Sequence, residues 1–345
     1  MTTSLAPATP SVADGGGAPL AWLVMIMRRA LSAALIIVLI AVLNFLILQL
    51  APGDMVDALV GESGGATAEY MAELRANFGL DQPLQVRLVR YLTTLASGDL
   101  GYSHRHASAV LDLILARLPT TILLMSTALL TAALAGGALG IVQARRPGSL
   151  VDGAIAAFIL AVHAVPAFWF GLMAIVFLAA DRGWFPTGGF ASFATPPSSV
   201  GKVVDVLHHL ALPAITLANF YLAIYARLMR SALLEISHAD FIRTARAKGL
   251  SERRVFWVHT LRHALLPLVT MLGSQVASML SGAVIVESVF GWPGLGRLAF
   301  EAVIARDVNL LLGILLLSSV VVTLVNMAVD LLYPLIDPRV RGRGA

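Results

Sequence analysis

The sequence predicts an all-α membrane protein with six transmembrane helices. Of its 345 residues, 58% are hydrophobic and only 13% are charged, and the mean hydropathy is +0.84. Soluble domains carry about 25% charged residues. The chain also contains six apolar segments of roughly 20 residues or more, the length that spans a bilayer, and Lys and Arg are concentrated in alternate loops between them.

The six predicted spans lie at about residues 30–51, 118–142, 153–180, 210–230, 264–286 and 307–334. Pro166 interrupts the third span and Pro267 lies near the start of the fifth; membrane helices tolerate proline when neighbouring groups satisfy the freed backbone. The first apolar run exceeds the core of a signal peptide, which is about 7–15 residues long. We therefore interpret residues 28–51 as an uncleaved first span, with a cleaved signal as the alternative.

The composition of the termini and loops predicts the topology. Residues 1–27 are rich in Ala, Pro, Gly and Ser and predict a disordered tail. The basic loops include the long segment 232–262 and the tail 337–345, on the same side as the N-terminus. Because basic loops stay inside, we expect both termini in the cytoplasm.

The segment 52–117 is expected outside as a small helical cap. Thr67 can cap a short helix in which Met71, Leu74 and Phe78 share a face, and Gly79 can end it. A second amphipathic helix is predicted in LDQPLQVRLVRYLTTL, where Leu84, Leu88, Tyr91 or Leu92, and Leu95 have helical spacing.

Several chemistries lack their motifs. The sequence contains no GxxxxGK[ST] phosphate loop, no HExxH and no GxSxG, and without cysteine it has no disulfide or thiolate metal site. The pairs His104 with His106 and His208 with His209 are typical of solvated neighbours, because a metal needs convergent ligands. We expect no enzymatic activity, no cofactor on this chain and no nucleic-acid partner.

Polar residues inside predicted spans are candidates for a substrate pathway, because each is costly in hydrocarbon. They are Asn44, His163, Asn219, Gln275, Ser281, Asn326 and Asp330, with Glu287 near the end of the fifth span. Interhelical hydrogen bonding is the alternative interpretation of each. No acid lies at mid-span, which argues against an ion-driven secondary transporter.

The segment 232–262 predicts two short helices. In the first, Ala239, Ile242 and Ala245 or Arg246 share a face, and Gly249 is placed just past the helix end. Ser251 is positioned to cap the second helix, where Val255, Val258 and Leu261 or Arg262 repeat at helical spacing.

The residue types of the first of these helices favour a docking surface. Its basic side chains alone would suit contact with anionic lipid. The small residues Thr244, Ala245 and Ala247 would also let another surface approach closely. A compact docking helix with a basic rim accounts for both features.

This segment resembles the coupling loop of ATP-binding cassette (ABC) importer permeases, which carry EAA, three residues and then glycine. Here Arg243-Thr244-Ala245 stand in the EAA position and Gly249 holds the glycine, while Arg262 replaces an expected proline. The form is similar to that of the dipeptide, oligopeptide and nickel permeases. Further matching stretches are APGD (51–54), FGLDQPLQVRLVRYL (78–92), SGDLGYS (97–103), RLPTTILL (117–124), VPAFWFG (165–171), VESVFGWPGLGRL (286–298) and DLLYPLIDPRVR (330–341). Ala164 and Ala167 depart from the pattern, which has hydroxyl residues there.

The resemblance implies the type I ABC importer permease fold over residues 118–336, in a bacterial-type inner membrane. The chain would form half of a pathway for peptides or similar small solutes. Its partners would be a second, similar permease, two ATPase subunits, an extracytoplasmic solute-binding protein and the lipid bilayer. Nickel, glutathione-like peptides and oligosaccharides remain possible cargo, and a secondary transporter or channel remains the alternative function.

The resemblance also implies residue roles. The residues expected to contact the ATPase are Asp240, Arg243, Thr244, Ala245, Arg246 and Gly249. Separately from the resemblance, the residues expected along the substrate pathway are His163, Gln275, Ser281 and Glu287, from the polar residues in or near the predicted spans, together with Trp169 and Trp292.

Overall fold

The computed structural model describes residues 18–50, 67–77, 80–103, 105–192 and 198–336, and this part of the chain is almost entirely helical. Its only strands form a hairpin of β1 (Tyr102–Ser103) and β2 (Ser108–Ala109), paired antiparallel. The helices are α1 (Ala18–Leu50), α2 (Ala68–Asn77), α3 (Leu84–Ala96), α4 (Val110–Arg145), α5 (Leu150–Ala164), α6 (Ala167–Ala174), α7 (Ser199–Ser237), α8 (Asp240–Ala247), α9 (Glu252–Arg254), α10 (Leu261–Ser274), α11 (Val276–Val289), α12 (Leu295–Ala305) and α13 (Val308–Ile336). Two π-helical turns, Ile175–Ala180 and Val255–Thr260, follow α6 and α9.

The structure confirms the predicted all-α membrane fold. The described helical segments that are long and apolar enough to cross a bilayer are Ile26–Leu50, Val110–Arg145, Ser199–Ser237, Glu252–Gly273 and Val308–Val329. The segment from Leu150 to Ala180 supplies a sixth span if its two helices count as one; they are bent by 96°. The bend lies where Val165 is extended at φ −81° and ψ 126°, the conformation that a following proline favours.

Some predicted boundaries differ from the observed ones. The first candidate span, Ile26–Leu50, agrees with the predicted 28–51 to within two residues, although its helix begins earlier, at Ala18. Helix α4 begins at Val110 rather than at residue 118, and Pro119 lies inside it. The fifth predicted span, 264–286, is divided by Gln275 between α10 and α11. The predicted tail 337–345 and residues 1–17 lie outside the described residues.

The two helices predicted within the segment 52–117 are present as α2 and α3. The backbone N–H of Tyr70 donates to Thr67 Oγ1 at 3.4 Å, so Thr67 caps α2 as predicted. Helix α3 packs on α1, with the rings of Tyr91 and Phe45 5.6 Å apart. Phe78 and Gly79, predicted at the end of α2, lie outside the described residues.

The centre of the bundle is the packing of α4 against α7. A Cβ atom on Gly140 would lie 2.5 Å from the carbonyl oxygen of Ala226 and 2.8 Å from Met229 Cβ, and one on Gly136 would lie 2.7 Å from the carbonyl oxygen of Leu222. The two glycines have the GxxxG spacing that lets membrane helices approach closely. The backbones of α4 and α7 are therefore closer than a methyl group would allow.

Two hydrophobic clusters organise the remaining helices around this pair. We call the end at which α4 begins the outer end and the end at which it stops the inner end. The main cluster joins α4 and α7 to α6, α10 and α11, and includes Tyr225 and Phe290. A second cluster at the outer end joins α4 to α12 and α13 through Ile114, Leu298 and Leu310.

We expect Gly140→Ala to lower the free energy of unfolding by about 1–3 kcal/mol, the usual cost of overpacking. The added methyl group would meet backbone atoms of α7, which have no room to move. Thermal unfolding of the purified protein in detergent measures the change.

Gly153→Ala in α5 is the matched control, because no atom lies within 4 Å of a Cβ there. Alanine favours a helix over glycine by up to about 1 kcal/mol, so the control should be neutral or stabilising. Equal melting temperatures for Gly140→Ala and the parent protein would contradict the close approach of α4 and α7.

Candidate functional site

The segment after α7 folds as a compact loop with its own small core. Two residues separate the end of α7 from the start of α8, whose inward face carries Ile242, fully buried, and Ala245, 7% exposed. Both pack against Val255 and the half-buried residues Ala239 and Leu250. The predicted shared face is thus confirmed, and it seats α8 on the following segment.

Gly249 ends α8 as predicted. Its φ is +76°, a left-handed conformation that glycine adopts without steric cost. The N–H of Gly249 donates to the carbonyl of Arg246 at 2.9 Å, and that of Leu250 donates to the carbonyl of Ala245 at 3.4 Å. These are the two bonds of a Schellman motif. No atom of the described residues lies within 4 Å of a Cβ at Gly249, so within this chain the backbone conformation is what requires glycine.

The outward face of α8 is charged. Asp240, Arg243, Thr244 and Arg246 are all exposed. The Arg243 guanidinium lies 3.7 Å from Asp240 in an exposed pair, whereas Arg246 donates two hydrogen bonds to the carboxylate of Glu252, at 2.8 and 3.3 Å. Arg246 therefore braces the loop internally, and Arg243 is the less constrained cation.

The burial of Ala245 corrects the contact role expected for it. Its methyl group faces the core of the loop and is not available to another protein. Helical periodicity predicted that Ala245 is buried, whereas the family resemblance placed it among the residues that contact the ATPase. The structure agrees with the periodicity, because Ala245 is buried.

The second predicted helix differs from expectation. Ser251 occupies the N-cap position of α9, but its side chain makes no capping hydrogen bond. The next residues form a π-helical turn, in which Thr260 Oγ1 donates to the carbonyl of Val255. The wider turn buries Val255 and Thr260 and leaves Val258 50% exposed. The α-helical spacing predicted for Val255 and Val258 is wrong for this reason.

Arg145 attaches the loop to the inner end of α4. Its guanidinium carbon lies 4.9 Å from the ring centroid of Phe256 and 5.4 Å from that of Trp257. Both distances are within the range of cation–π attraction. The loop is therefore in contact with α4 as well as being continuous with α7 and α10.

A buried carboxylate clamps three helices beside this contact. Arg230 of α7 donates from Nε and Nη2 to the two oxygens of Asp152 in α5, at 3.0 and 2.7 Å. Gln143 of α4 donates to Asp152 Oδ1 at 3.1 Å, and the N–H of Gly148 donates to Oδ2 at 3.0 Å. Bidentate pairs of this kind fix geometry as well as adding stability, so α4, α5 and α7 are held together at the inner end.

A second buried carboxylate organises the outer end. Glu287 is fully buried and accepts from Thr121 Oγ1 at 2.7 Å and from the N–H of Arg297 at 2.9 Å. It lies against the N-terminus of α12, where a negative charge is favourable. A Cβ on Gly294 would be 2.1 Å from Glu287 Oε1, so the glycine makes room for the carboxylate.

Trp292 belongs to the same outer network. It is fully buried, and its Nε1–H donates to the carbonyl of Thr120 at 3.0 Å. Trp292 and Glu287, both expected along the substrate pathway, are fully buried in this structure. They shape the turn between α11 and α12.

The other residues expected along the pathway lie elsewhere. His163 and Trp169 flank the bend between α5 and α6 and are exposed, with the His163 ring 6.0 Å from that of Phe220. Gln275 is half-buried between α10 and α11. Ser281 lies within α11. The structure brings His163 and Trp169 to one bend but does not join them to Glu287.

A serine, a histidine and an aspartate also meet at the outer hairpin. Ser103 Oγ donates to Asp307 Oδ2 at 2.5 Å and lies 3.1 Å from His106 Nδ1. A catalytic triad needs histidine between serine and the acid, whereas here the serine is central and buried. The group ties the hairpin to α13. No cluster of three or more potential metal ligands occurs among the described residues.

The sequence did not predict the two buried carboxylate networks, Asp152 with Arg230 at the inner end and Glu287 with Thr121 at the outer end. Asp152 and Arg230 are far apart in sequence, and nothing local pairs them; the available signal was an acid near the start of one apolar segment and an arginine at the end of another. Thr121 carried no signal beyond its place in a matching stretch.

The fold and the seated loop define a multi-pass membrane transport subunit. Residues 136–342 match the family described as "Binding-protein-dependent transport system inner membrane component", and residues 22–125 match the N-terminal model of the same component.

Proteins of known name agree with this match. The chain is 38% identical over 320 residues, covering 91% of itself and 98% of the relative, to the oligopeptide transport system permease protein AppB of Bacillus subtilis (strain 168). It is 38% identical to the di/tripeptide permease DppB of Pseudomonas aeruginosa, covering 88% of itself and 94% of the relative. The solved MetNI methionine ABC transporter, in an inward-facing conformation, shares the fold with TM-score 0.53 and 18% identity, over 65% of this chain and 96% of that one.

The chain therefore belongs to the family of binding-protein-dependent transport system inner membrane components. It is a permease subunit, a multi-pass inner-membrane protein, and not an enzyme. In this family ATP hydrolysis and solute capture reside on separate ATPase and substrate-binding subunits.

We expect Thr121→Val to lower the free energy of unfolding by about 1–3 kcal/mol, because buried polar groups lose their partners. The hydroxyl donates to Glu287 and accepts from the N–H of Leu295, each at 2.7 Å. Thermal unfolding in detergent measures the loss.

Thr131→Val, also in α4, is the control. Among the described residues its hydroxyl bonds only to the carbonyl of Thr127 in the same helix, so the cost should stay below about 1 kcal/mol. An equal decrease in the free energy of unfolding for the two variants would show that the hydrogen bonds of Thr121 to Glu287 and Leu295 do not stabilise the outer end.

Proposed function

We propose that this chain forms one half of the pathway of an ATP-driven importer for di- and oligopeptides, with a second, similar permease supplying the other half. The proposal is supported by relatives named for oligopeptide, di/tripeptide and dipeptide transport, which the chain matches over 88–91% of its length. Two ATPase subunits would bind the inner end, and a solute-binding protein would deliver peptide at the outer end.

The orientation follows from charge. Lys and Arg are concentrated in the loops of the inner end, and the positive-inside rule favours these loops, and with them both termini, in the cytoplasm. ATP is then available on the side where α8 is exposed.

The observation that carries the proposal is the seating of α8. Its inward face is buried in the loop core, while its outward face presents Asp240, Arg243 and Thr244. A short helix with one anchored face and one charged face is suited to transmit force from a docked protein. Because Arg145 and the Asp152–Arg230 clamp tie this region to α4, α5 and α7, movement of the ATPase would displace the helices together.

Within the pathway, His163 and Trp169 remain the favoured contacts to cargo. They lie at the bend of α5 and α6, where the broken helix exposes both side chains. Gln275 lies at the junction of α10 and α11, a second interruption of a span.

The test is uptake of a labelled dipeptide by proteoliposomes that contain the complete transporter, its solute-binding protein and internal ATP. We expect uptake that requires ATP and competes with other short peptides. Absence of peptide uptake, with uptake of another solute by the same preparation, would contradict the substrate class.

The same assay tests the docking of α8. We expect Gly249→Val to reduce uptake about tenfold, because a left-handed conformation costs other residues about 1–2 kcal/mol. The variant should also lose ATPase subunits during copurification. Gly249→Asn is the control, since asparagine accepts this conformation more readily. Full uptake and full ATPase retention by Gly249→Val would refute the docking proposal without touching the substrate class.

A further inference from the structure

A groove at the inner end lies outside the loop and borders the Asp152–Arg230 clamp through Arg230. It is a cavity of about 470 Å³ between α7 and α10, which we call the inner groove. Its lining residues are Ile224, Arg227, Leu228, Arg230, Ser231 and Met271. Apolar side chains thus form part of its walls, and two arginines on one helix contribute to the rest.

The groove carries a positive charge that the described residues do not balance. Arg227 is exposed, and it forms no ion pair with any described residue. Arg230 uses Nε and Nη2 on Asp152, which leaves Nη1 outside that pair. Three residues apart on a helix, the two guanidinium groups share a face. The hydroxyl of Ser231 already donates to the carbonyl of Leu228 at 3.0 Å, so the arginines are the available donors.

The position of the groove in the membrane selects the ligand. Arg227 and Arg230 lie at the end of the apolar segment 210–230, while α7 continues to Ser237. An unbalanced cation at this depth is costly in hydrocarbon, whereas lipid phosphates lie at the level of the span ends. A ligand that fills the groove therefore needs an anionic group for the arginines and an apolar part for Ile224, Leu228 and Met271.

We propose that the inner groove binds an anionic phospholipid of the adjacent leaflet, with its phosphate on Arg227 and the free Nη1 of Arg230 and an acyl chain along the apolar wall. Basic pockets between membrane helices bind lipid head groups in this way. The site is separate from the surface proposed to meet the ATPase and does not depend on the identity of the cargo.

The experiment uses the assembled transporter in nanodiscs of phosphatidylcholine with a small fraction of phosphatidylglycerol, and counts the lipids retained after transfer to detergent by native mass spectrometry. We expect the parent transporter to retain one phosphatidylglycerol. Arg227→Gln should weaken retention about fivefold, the contribution of a single basic residue near lipid phosphate. Arg227→Lys should keep most of it, and excess inorganic phosphate should not displace the lipid.

Arg146→Gln is the matched control, because it removes the same charge from an exposed position at the inner end. Equal loss in Arg146→Gln and Arg227→Gln would overturn the site in favour of diffuse attraction. Equal retention of phosphatidylcholine and phosphatidylglycerol would contradict recognition of an anionic lipid by the arginines. Displacement by inorganic phosphate would assign a free-anion site. Loss of the second permease from Arg227→Gln, with unchanged lipid retention by the complexes that remain, would show that a protein acid occupies the groove.

Discussion

The close approach of α4 and α7 is the constraint on which the rest of the structure depends. Gly136 and Gly140 allow the two backbones to pack without intervening side chains, and backbone contact of this kind is a main source of helix association in lipid. Since α6, α10 and α11 pack on this pair through one hydrophobic cluster, the position of each depends on the same contact. The loop that contains α8 continues directly from α7, so its position also depends on the contact between α4 and α7.

The two buried carboxylates act at opposite ends of the pair. Asp152 joins α4, α5 and α7 at the inner end, and Glu287 joins α4 to the turn that starts α12 at the outer end. Each carboxylate is satisfied by several donors, as buried charge requires. The two carboxylates are therefore joined through one connected set of helices, the arrangement that the proposed coupling to an ATPase would require.

Local patterns were enough to predict much of this arrangement. Helical spacing placed Ile242 and Ala245 on one face of α8, and the sequence rule for helix ends placed Gly249. Sequence patterns were less informative about side chains whose bonding partners are distant in the sequence. Glu287 was expected along a pathway but bonds to Thr121 of α4; a polar residue near a span end has the same sequence signature whether it contacts cargo or another helix. The π-helical turn at 255–260 changed which valines are buried, and no local signal marked it. The Asp152–Arg230 pair joins residues separated by 78 positions, which a single sequence does not connect.

The most direct test of rigid coupling is a distance measurement between the loop and the central helix pair. The chain has no cysteine, so spin labels can be placed at Lys248→Cys after α8 and Val142→Cys on α4, in a transporter whose other subunits lack cysteine. Double electron–electron resonance would then be recorded without nucleotide and with ATP trapped. The account predicts the same mean distance and width in both states, because the loop moves with α4 as one body. A shifted or broadened distribution on ATP binding would show that the loop moves independently and would contradict the account.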